Sequence, residues 1–136
     1  MNDQAIKTQF DTPFGTVKVS YKLVDQVESE SIASSYVYKY RFTVTTEAGR
    51  AGFDFFGSVA DWRANKQTTD AKFAVYCFLS DALAAENSFE DFCSEFGYDT
   101  DSRKAEKSYK ACEKSAEKAL RIFSDLYQAA NFFQED

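Results

Sequence analysis

Residues 36–46 read Tyr-Val-Tyr-Lys-Tyr-Arg-Phe-Thr-Val-Thr-Thr, and this stretch decides the fold class of the chain. Large apolar side chains occupy every second position, which is typical of a β-strand with one buried face. The residues expected on the buried face are Tyr36, Tyr38, Tyr40, Phe42 and Val44. The opposite face carries mostly Lys, Arg and Thr, so the strand predicts a sheet with one packed side and one solvated side.

The flanking sequence predicts further strands on both sides of this one. Residues 16–24 alternate in the same way, and residues 51–56 follow the turn signal Glu47-Ala48-Gly49 with another short strand. Residues 5–10 are compatible with an additional edge strand, whereas the polar residues 25–35 predict a solvated loop. Strands joined by short turns predict an antiparallel meander of three or four strands.

From residue 58 onward, apolar residues follow the i, i+3, i+4 spacing of helices. Three or four helices are predicted: 58–65 around Trp62, 71–86, a short helix from Ser88 to Gly97, and a long one at about 102–130. The helix at 71–86 is the most apolar. Its stripe is predicted to run through Phe73, Tyr76, Cys77, Ser80, Leu83 and Ala84, and Val75, Phe78 and Leu79 widen the apolar surface.

A run of strands followed by a run of helices is typical of an α+β fold. With 136 residues, the chain fits a single domain over 1–136, β-rich in 1–57 and helical in 58–136. Its 14 Phe and 8 Tyr provide large side chains for a core. We therefore predict an N-terminal antiparallel sheet followed by a C-terminal helical part.

The cysteines and the N-terminus indicate the compartment. Cys77, Cys93 and Cys112 form no Cys-x-x-Cys pair, and we interpret them as reduced, buried small hydrophobic residues, which implies a reducing environment. No signal peptide is visible, and no apolar run approaches the roughly 20 residues that a membrane span needs. We expect a soluble, cytoplasmic protein that does not contact a membrane.

The residues that usually carry chemistry are missing or misplaced. The chain has no His, which removes the commonest general base and metal ligand. Asp99-Thr100-Asp101-Ser102 resembles the start of an EF-hand loop, but Lys104 and Lys110 stand where that loop needs Gly and Glu. Asp99 or Asp101 is interpreted instead as the N-cap of the long helix. We expect no catalytic residue, no metal site and no cofactor; a carboxylate-dependent enzyme would need Asp99 and Asp101 to converge with another acid.

Charge is sharply segregated in the helical half, although the chain as a whole carries −6. Between Phe73 and Ser102 there is no Lys or Arg. The seven acidic residues there, which we call the acidic stretch, are Asp81, Glu86, Glu90, Asp91, Glu95, Asp99 and Asp101. Residues 103–121 carry seven basic residues against three acidic ones. The acidic stretch predicts a surface that docks on a basic groove by imitating nucleic-acid phosphates; the alternative is an ordinary solvated face, partly neutralised by the basic helix.

The sheet offers a rival surface of the opposite sign. Its basic residues, which we call the basic sheet face, are Lys18, Lys22, Lys39 and Arg41. They alternate with hydroxyl side chains, so strands paired in register predict a site for an acidic protein or a nucleic-acid backbone. No aromatic side chain is interleaved with them, which argues against a stacking platform for single strands. The alternative is the ordinary solvent face of an antiparallel sheet.

The block from Ala74 to Phe123 resembles a group of small proteins encoded by bacterial phages and prophages. The motifs that carry this resemblance are Val-Tyr-Cys-Phe-Leu-Ser-Asp-Ala at 75–82, Ser-Phe-Glu-Asp-Phe-Cys at 88–93, Phe-Gly-Tyr-Asp-Thr-Asp-Ser-Arg-Lys-Ala at 96–105 and Tyr-Lys-Ala-Cys at 109–112. The block covers a little over a third of the chain. The resemblance implies a mobile-element protein in a bacterial cytoplasm, a setting in which small acidic proteins often inhibit host defence, as anti-CRISPR and anti-restriction proteins do.

Two functions follow as expectations. The first is a non-enzymatic protein whose acidic stretch binds a bacterial host protein or nucleoprotein complex and inhibits or modulates nucleic-acid handling. The alternative is a nucleic-acid-binding accessory protein that uses the basic sheet face and the basic helix. The overall acidic balance favours the first, because general nucleic-acid binders carry a basic excess.

Overall fold

The computed structural model of the chain describes residues 5–28, 36–59 and 68–134. Within these ranges, four strands are followed by four helices, which confirms the predicted α+β class. The strands are β1 (Ile6–Thr12), β2 (Gly15–Glu28), β3 (Tyr36–Thr46) and β4 (Gly49–Val59). The helices are α1 (Ala71–Ala84), α2 (Phe89–Phe96), α3 (Arg103–Leu120) and α4 (Leu126–Gln134).

The chain divides into two compact units, Met1–Ala71 and Lys72–Asp136, which we call the sheet unit and the helical unit. A single domain over 1–136 stays a prediction. The predicted helix at 58–65 does not begin at its first residues, because Ser58 and Val59 pair with β3 as the end of β4. Trp62 and the rest of that predicted helix lie outside the described residues.

The sheet is an antiparallel meander in the order β1-β2-β3-β4. The predicted loop at 25–35 is wrong for residues 25–28, which extend β2 and pair with the start of β3. A register shift between Leu23 and Asp25 absorbs one residue, and the ladder then continues. Asp25 and Gln26 are exposed, so their polar side chains stay in water while their backbone pairs. Residues 29–35 lie outside the described part of the chain.

One face of the sheet is packed, as the alternation predicts. Its buried residues are Val17, Val19, Tyr21, Tyr38, Tyr40, Phe42, Val44 and Ala51. Aromatic rings stack across the strands, with centroid distances of 4.8 Å between Tyr21 and Phe42 and 5.1 Å between Phe42 and Phe53. Such pairs add to the stability that area burial provides. The residues between the buried ones point to the opposite face, where they are exposed or half-buried.

The buried face of α1 is centred on Val75, Phe78 and Leu79, which were predicted to widen the apolar surface, and not on the predicted stripe itself. The buried residues are Ala74, Val75, Phe78, Leu79 and Ala82, while Phe73 is 52% exposed. The helix is apolar nearly all round, so periodicity alone does not select a face. Tyr76, Cys77, Ser80, Leu83 and Ala84 are half-buried at its margins.

The caps of α2 agree with the bounds predicted for the short helix, Ser88 and Gly97. The Ser88 hydroxyl accepts a hydrogen bond from the backbone N–H of Asp91 at 3.1 Å. Gly97 ends the helix with φ 74°, a left-handed conformation in which glycine carries no Cβ penalty.

The predicted long helix at 102–130 is two helices. α3 ends at Leu120, the chain turns through residues 121–125, and α4 begins at Leu126. The Asp125 carboxylate accepts from the backbone N–H of Gln128 at 3.1 Å, which caps the new helix. The predicted N-cap at Asp99 or Asp101 is also wrong, because the Ser102 hydroxyl accepts from Ala105 N–H at 3.2 Å and stands directly before α3.

Candidate interaction surfaces

The acidic stretch lies entirely in the helical unit, and all seven residues are exposed. Asp81 is on α1, and Glu86 follows in the turn after it. Glu90, Asp91 and Glu95 lie on α2, and the last two acids lie in the segment between α2 and α3.

A small apolar cluster positions α2 against α3. Phe92 and Cys93 of α2 and Ala105 of α3 are buried together, with Tyr109 packed against them. The Tyr109 hydroxyl donates to the backbone oxygen of Asn87, which fixes the turn that carries Glu86. Because the apolar side of α2 is held inward, its acidic side is held in solvent.

Hydrogen bonds bring part of the acidic stretch together. The Asn87 amide donates to the Glu95 carboxylate at 3.4 Å, so the turn after α1 lies beside α2. Asp91 and Glu95 are four residues apart on one helix and therefore share a face. The Glu86 carboxylate, first as a hydrogen-bond acceptor and then as a nearby negative charge, raises the pKa of the Tyr127 phenol. The structure thus gathers Glu86, Asp91 and Glu95, whereas Asp81 lies apart near two cysteines.

None of the acids in this stretch forms an ion pair with a basic residue that the structure describes. Two basic residues, Lys110 of α3 and Arg121 at its C-terminal cap, pair instead with acids of α3. Lys110 contacts Glu106 at 3.3 Å, and Arg121 contacts Glu117 at 3.0 Å, each pair one turn apart. Exposed pairs of this kind are individually weak. Direct neutralisation of the acidic stretch by the basic helix is therefore not seen in these residues.

Two exposed aromatic side chains border the acidic stretch, and the sequence analysis did not identify them as surface residues. Phe96 is 51% exposed next to Glu95, with its ring centroid 4.8 Å from that of Phe92. Tyr127 is 60% exposed beside Glu86. Aromatic residues are frequent energetic centres of protein interfaces. Their helical spacing predicted burial, so only tertiary structure reveals their exposure.

The three cysteines are unbonded, with Cys93 buried and the other two half-buried. Burial, followed by the Asp81 carboxylate, raises the pKa of Cys112 to about 11. The same two causes raise the pKa of Cys77, and burial raises that of Asp81 itself. A thiol with such a pKa is almost entirely protonated at neutral pH, which makes it a poor nucleophile.

The register of the sheet assembles the basic sheet face as the alternation predicts. Lys18 lies opposite Thr45, and Lys22 lies opposite Arg41. Beyond the register shift, Lys39 pairs with Asp25. Ion pairs of 3.5 Å join Asp54 to both Lys39 and Arg41, which partly neutralises that end of the face.

The same face carries charged residues that sequence reasoning missed. Lys7 of β1 lies opposite Ser20, and Arg50 of β4 lies opposite Thr45. The sequence does not show which face of the sheet Lys7 and Arg50 lie on. The strand register places both on the basic sheet face. A groove of about 520 Å³ opens beside Lys7. Its lining residues are Lys7, Thr8, Gln9, Lys18, Val19, Ser20, Thr43 and Thr45.

No group of three or more Cys, Asp or Glu side chains within residues 5–28, 36–59 and 68–134 is placed to hold a metal ion. Asp99 and Asp101 therefore do not join a third ligand in that part of the chain. None of the described helices is both long enough and apolar enough to span a bilayer.

The chain matches no protein-family model, and no curated protein or solved structure shows significant similarity to it. Functional inference therefore depends on the surfaces themselves.

Proposed function

We propose that this is a non-enzymatic, phage-type binding protein that acts in the bacterial cytoplasm. Its acidic stretch docks on a host protein or nucleoprotein complex and inhibits or modulates nucleic-acid handling, with a defence complex as the preferred target. The observation that carries the proposal is that seven exposed carboxylates have no ion-pair partner among the described residues. Charges left uncompensated in this way are available to a partner.

The chemistry of the surface defines the partner. Carboxylates gathered at Glu86, Asp91 and Glu95 present negative charge of the kind that a phosphate backbone presents to a basic groove. Such a field accelerates association and selects positively charged surfaces, but contributes less to lifetime. Phe96 and Tyr127 supply the apolar contact area that slows dissociation. The partner is therefore a protein with a basic, phosphate-binding groove bordered by an apolar pocket.

A capture experiment with matched variants tests this proposal. The first variant reverses charge at four positions of the acidic stretch: Glu86→Lys, Glu90→Lys, Asp91→Lys and Glu95→Lys. The control makes the same net change on acids elsewhere: Glu47→Lys, Glu106→Lys, Glu113→Lys and Glu117→Lys. We expect the wild type and the control to retain the same bacterial partner, and the first variant to lose it. Equal retention by all three proteins would falsify the proposal.

A competition experiment tests whether the acidic stretch imitates nucleic-acid phosphates. If the acidic stretch occupies a phosphate-binding groove, then the partner's nucleic-acid substrate must compete with this protein for it. We expect added substrate to release the captured partner in a concentration-dependent way, and phage to plate better on cells that produce the wild type than on cells that produce the reversed variant. A partner that binds both at once contradicts mimicry.

A further inference from the structure

The open side of the sheet is organised as rows of cross-strand neighbours, two residues apart along each strand. One row joins Lys18, Thr45 and Arg50; the next joins Lys7, Ser20 and Thr43. Since a strand rises about 3.3 Å per residue, successive rows are about 6.6 Å apart. The rows form a continuous polar track across the face. Towards Phe56 the track also carries two acids, Asp54, which pairs with Lys39 and Arg41 at 3.5 Å, and Asp25, which lies opposite Lys39.

Positive charge on this track is available to a ligand. Lys7, Lys18, Lys22 and Arg50 are exposed, and none of them has an ion-pair partner among the described residues. The groove of about 520 Å³ lies between the first two of these lysines, and hydroxyl groups of Ser20, Thr43 and Thr45 line it. Its volume is within the range of natural ligand sites, about 300–1,000 Å³. Lysine and arginine cations and side-chain hydroxyl groups are common donors of hydrogen bonds to phosphate oxygens.

The far end of the track carries an aromatic ring. Phe56 is 58% exposed and lies opposite Lys39, on the same side of the sheet as the lysines. From the row of Thr45 to the row of Lys39, β3 advances six residues, or about 20 Å. The face therefore combines a basic groove with a stacking surface, a combination that the alternation of β2 and β3 alone does not predict.

We propose that the open side of the sheet binds a single-stranded nucleic acid, with phosphates along Lys18 and Lys22 and one base stacked on Phe56. Unpaired bases expose their faces to aromatic side chains, whereas the bases of a duplex are stacked on each other. The single strand is therefore the occupant that uses both the cations and the ring. This inference is independent of the acidic stretch, which lies in the other unit.

Gly52 keeps the middle of the face open. It lies opposite Thr43 and is exposed, with no side chain to obstruct a ligand. A Cβ added there would meet the backbone oxygen of Phe42 at 3.5 Å, which is ordinary van der Waals contact. Gly52→Glu therefore adds a negative charge and bulk to the track while leaving the fold intact.

Fluorescence anisotropy with the purified full chain and labelled oligothymidylate of about 12 nucleotides tests the proposal. Two phosphate contacts, at Lys18 and Lys22, predict that log Kd rises with log salt concentration with a slope of about 1.4. We expect Phe56→Ala to weaken binding about 5- to 150-fold, as loss of one stacked base does. The double variant Lys18→Glu, Lys22→Glu and the single variant Gly52→Glu are each expected to weaken it at least about tenfold.

The controls separate this site from other sources of affinity. Lys107→Glu with Lys114→Glu makes the same charge change on α3, and we expect it to alter Kd less than about twofold. Polyglutamate of equal charge tests whether an acidic protein is the ligand instead. The proposal is overturned by any of three results: no anisotropy change at low salt, no effect of Phe56→Ala, or polyglutamate competing as well as the oligonucleotide. An equal loss with the α3 control overturns it too, because the affinity would then belong to the basic helix.

Discussion

Tyr21 shows how one residue of the packed sheet face also fixes the backbone next to α1. Its ring is buried among aromatic neighbours, and its hydroxyl reaches Thr69. It donates to the Thr69 carbonyl oxygen at 3.1 Å and accepts from the Thr69 N–H at 3.2 Å. A single hydroxyl thus satisfies two backbone groups in a part-buried position.

Tyr21→Phe should therefore destabilise the protein by about 1–3 kcal/mol, because both backbone groups of Thr69 lose their partner. Urea denaturation followed by tyrosine fluorescence measures the change. Tyr127→Phe is the matched control, since Tyr127 is 60% exposed and its hydroxyl can exchange its partner for water. Equal stability of Tyr21→Phe and the wild type would show that these hydrogen bonds contribute nothing.

Cys112 provides a second test at the scale of a residue. Burial and the Asp81 carboxylate raise its pKa to about 11, so it should react slowly with iodoacetamide at pH 8. Removing the carboxylate favours the thiolate and lowers the pKa. In a background with Cys77→Ser and Cys93→Ser, Asp81→Asn should accelerate alkylation several-fold and move its pH midpoint downward. Burial is the larger cause, so the midpoint should stay above 9, the ordinary thiol value. An unchanged midpoint contradicts this placement of Asp81.

The ends of the helices are set by short polar side chains at particular positions. Ser88, Ser102 and Asp125 each accept a hydrogen bond from a backbone N–H three residues on. These caps decide where α2, α3 and α4 begin, and hence where the acidic stretch ends and the basic helix starts. Charge near a helix N-terminus is a weaker influence than the cap itself.

Ser102→Ala should lower the free energy of unfolding by about 1 kcal/mol, because the Ala105 N–H loses its acceptor. Asp101→Ala should cost less, since Asp101 acts on α3 only through the helix dipole. Thermal unfolding followed by circular dichroism at 222 nm compares the two. If Asp101→Ala lowered the free energy of unfolding more than Ser102→Ala, the result would indicate that Asp101 is the N-cap of α3.

The success of sequence reasoning depends on how local the governing interaction is. Alternation in residues 36–46 is local, and it predicted the strand and its packed face. The register shift after Leu23 and the pairing of Asp25 depend on β3, so the polar composition there predicted a loop. The break at 121–125 depends on Asp125, which caps α4. The apolar stripe of the sequence continues past Asp125, so it gives no sign of this break.

The candidate surfaces show the same limit. All seven acids were read directly from the sequence, because the absence of Lys and Arg over 30 residues needs no tertiary information. Lys7 and Arg50 joined the basic sheet face only through strand register, and the exposure of Phe96 shows only in the folded helical unit. Exposure of an aromatic side chain depends on what packs over it, and periodicity does not contain that information.

At the scale of the whole molecule, the net charge of −6 conceals two local fields of opposite sign. The sheet unit presents uncompensated lysines on an open face, and the helical unit presents uncompensated carboxylates. A field of several kT acts on association before any contact forms. Under the two proposals above, each surface separately attracts a ligand of the opposite charge.

The association rate constant for the captured partner shows whether the acidic stretch makes the contact. It is measured at about 50 and about 150 mM salt for the wild type, the variant reversed at Glu86, Glu90, Asp91 and Glu95, and the control reversed at acids elsewhere. The wild-type rate should fall steeply with salt, the reversed variant should associate at least about tenfold more slowly at low salt, and the control should match the wild type within about twofold. Equal, salt-independent rates for all three proteins would contradict the claim that the acidic stretch makes the contact.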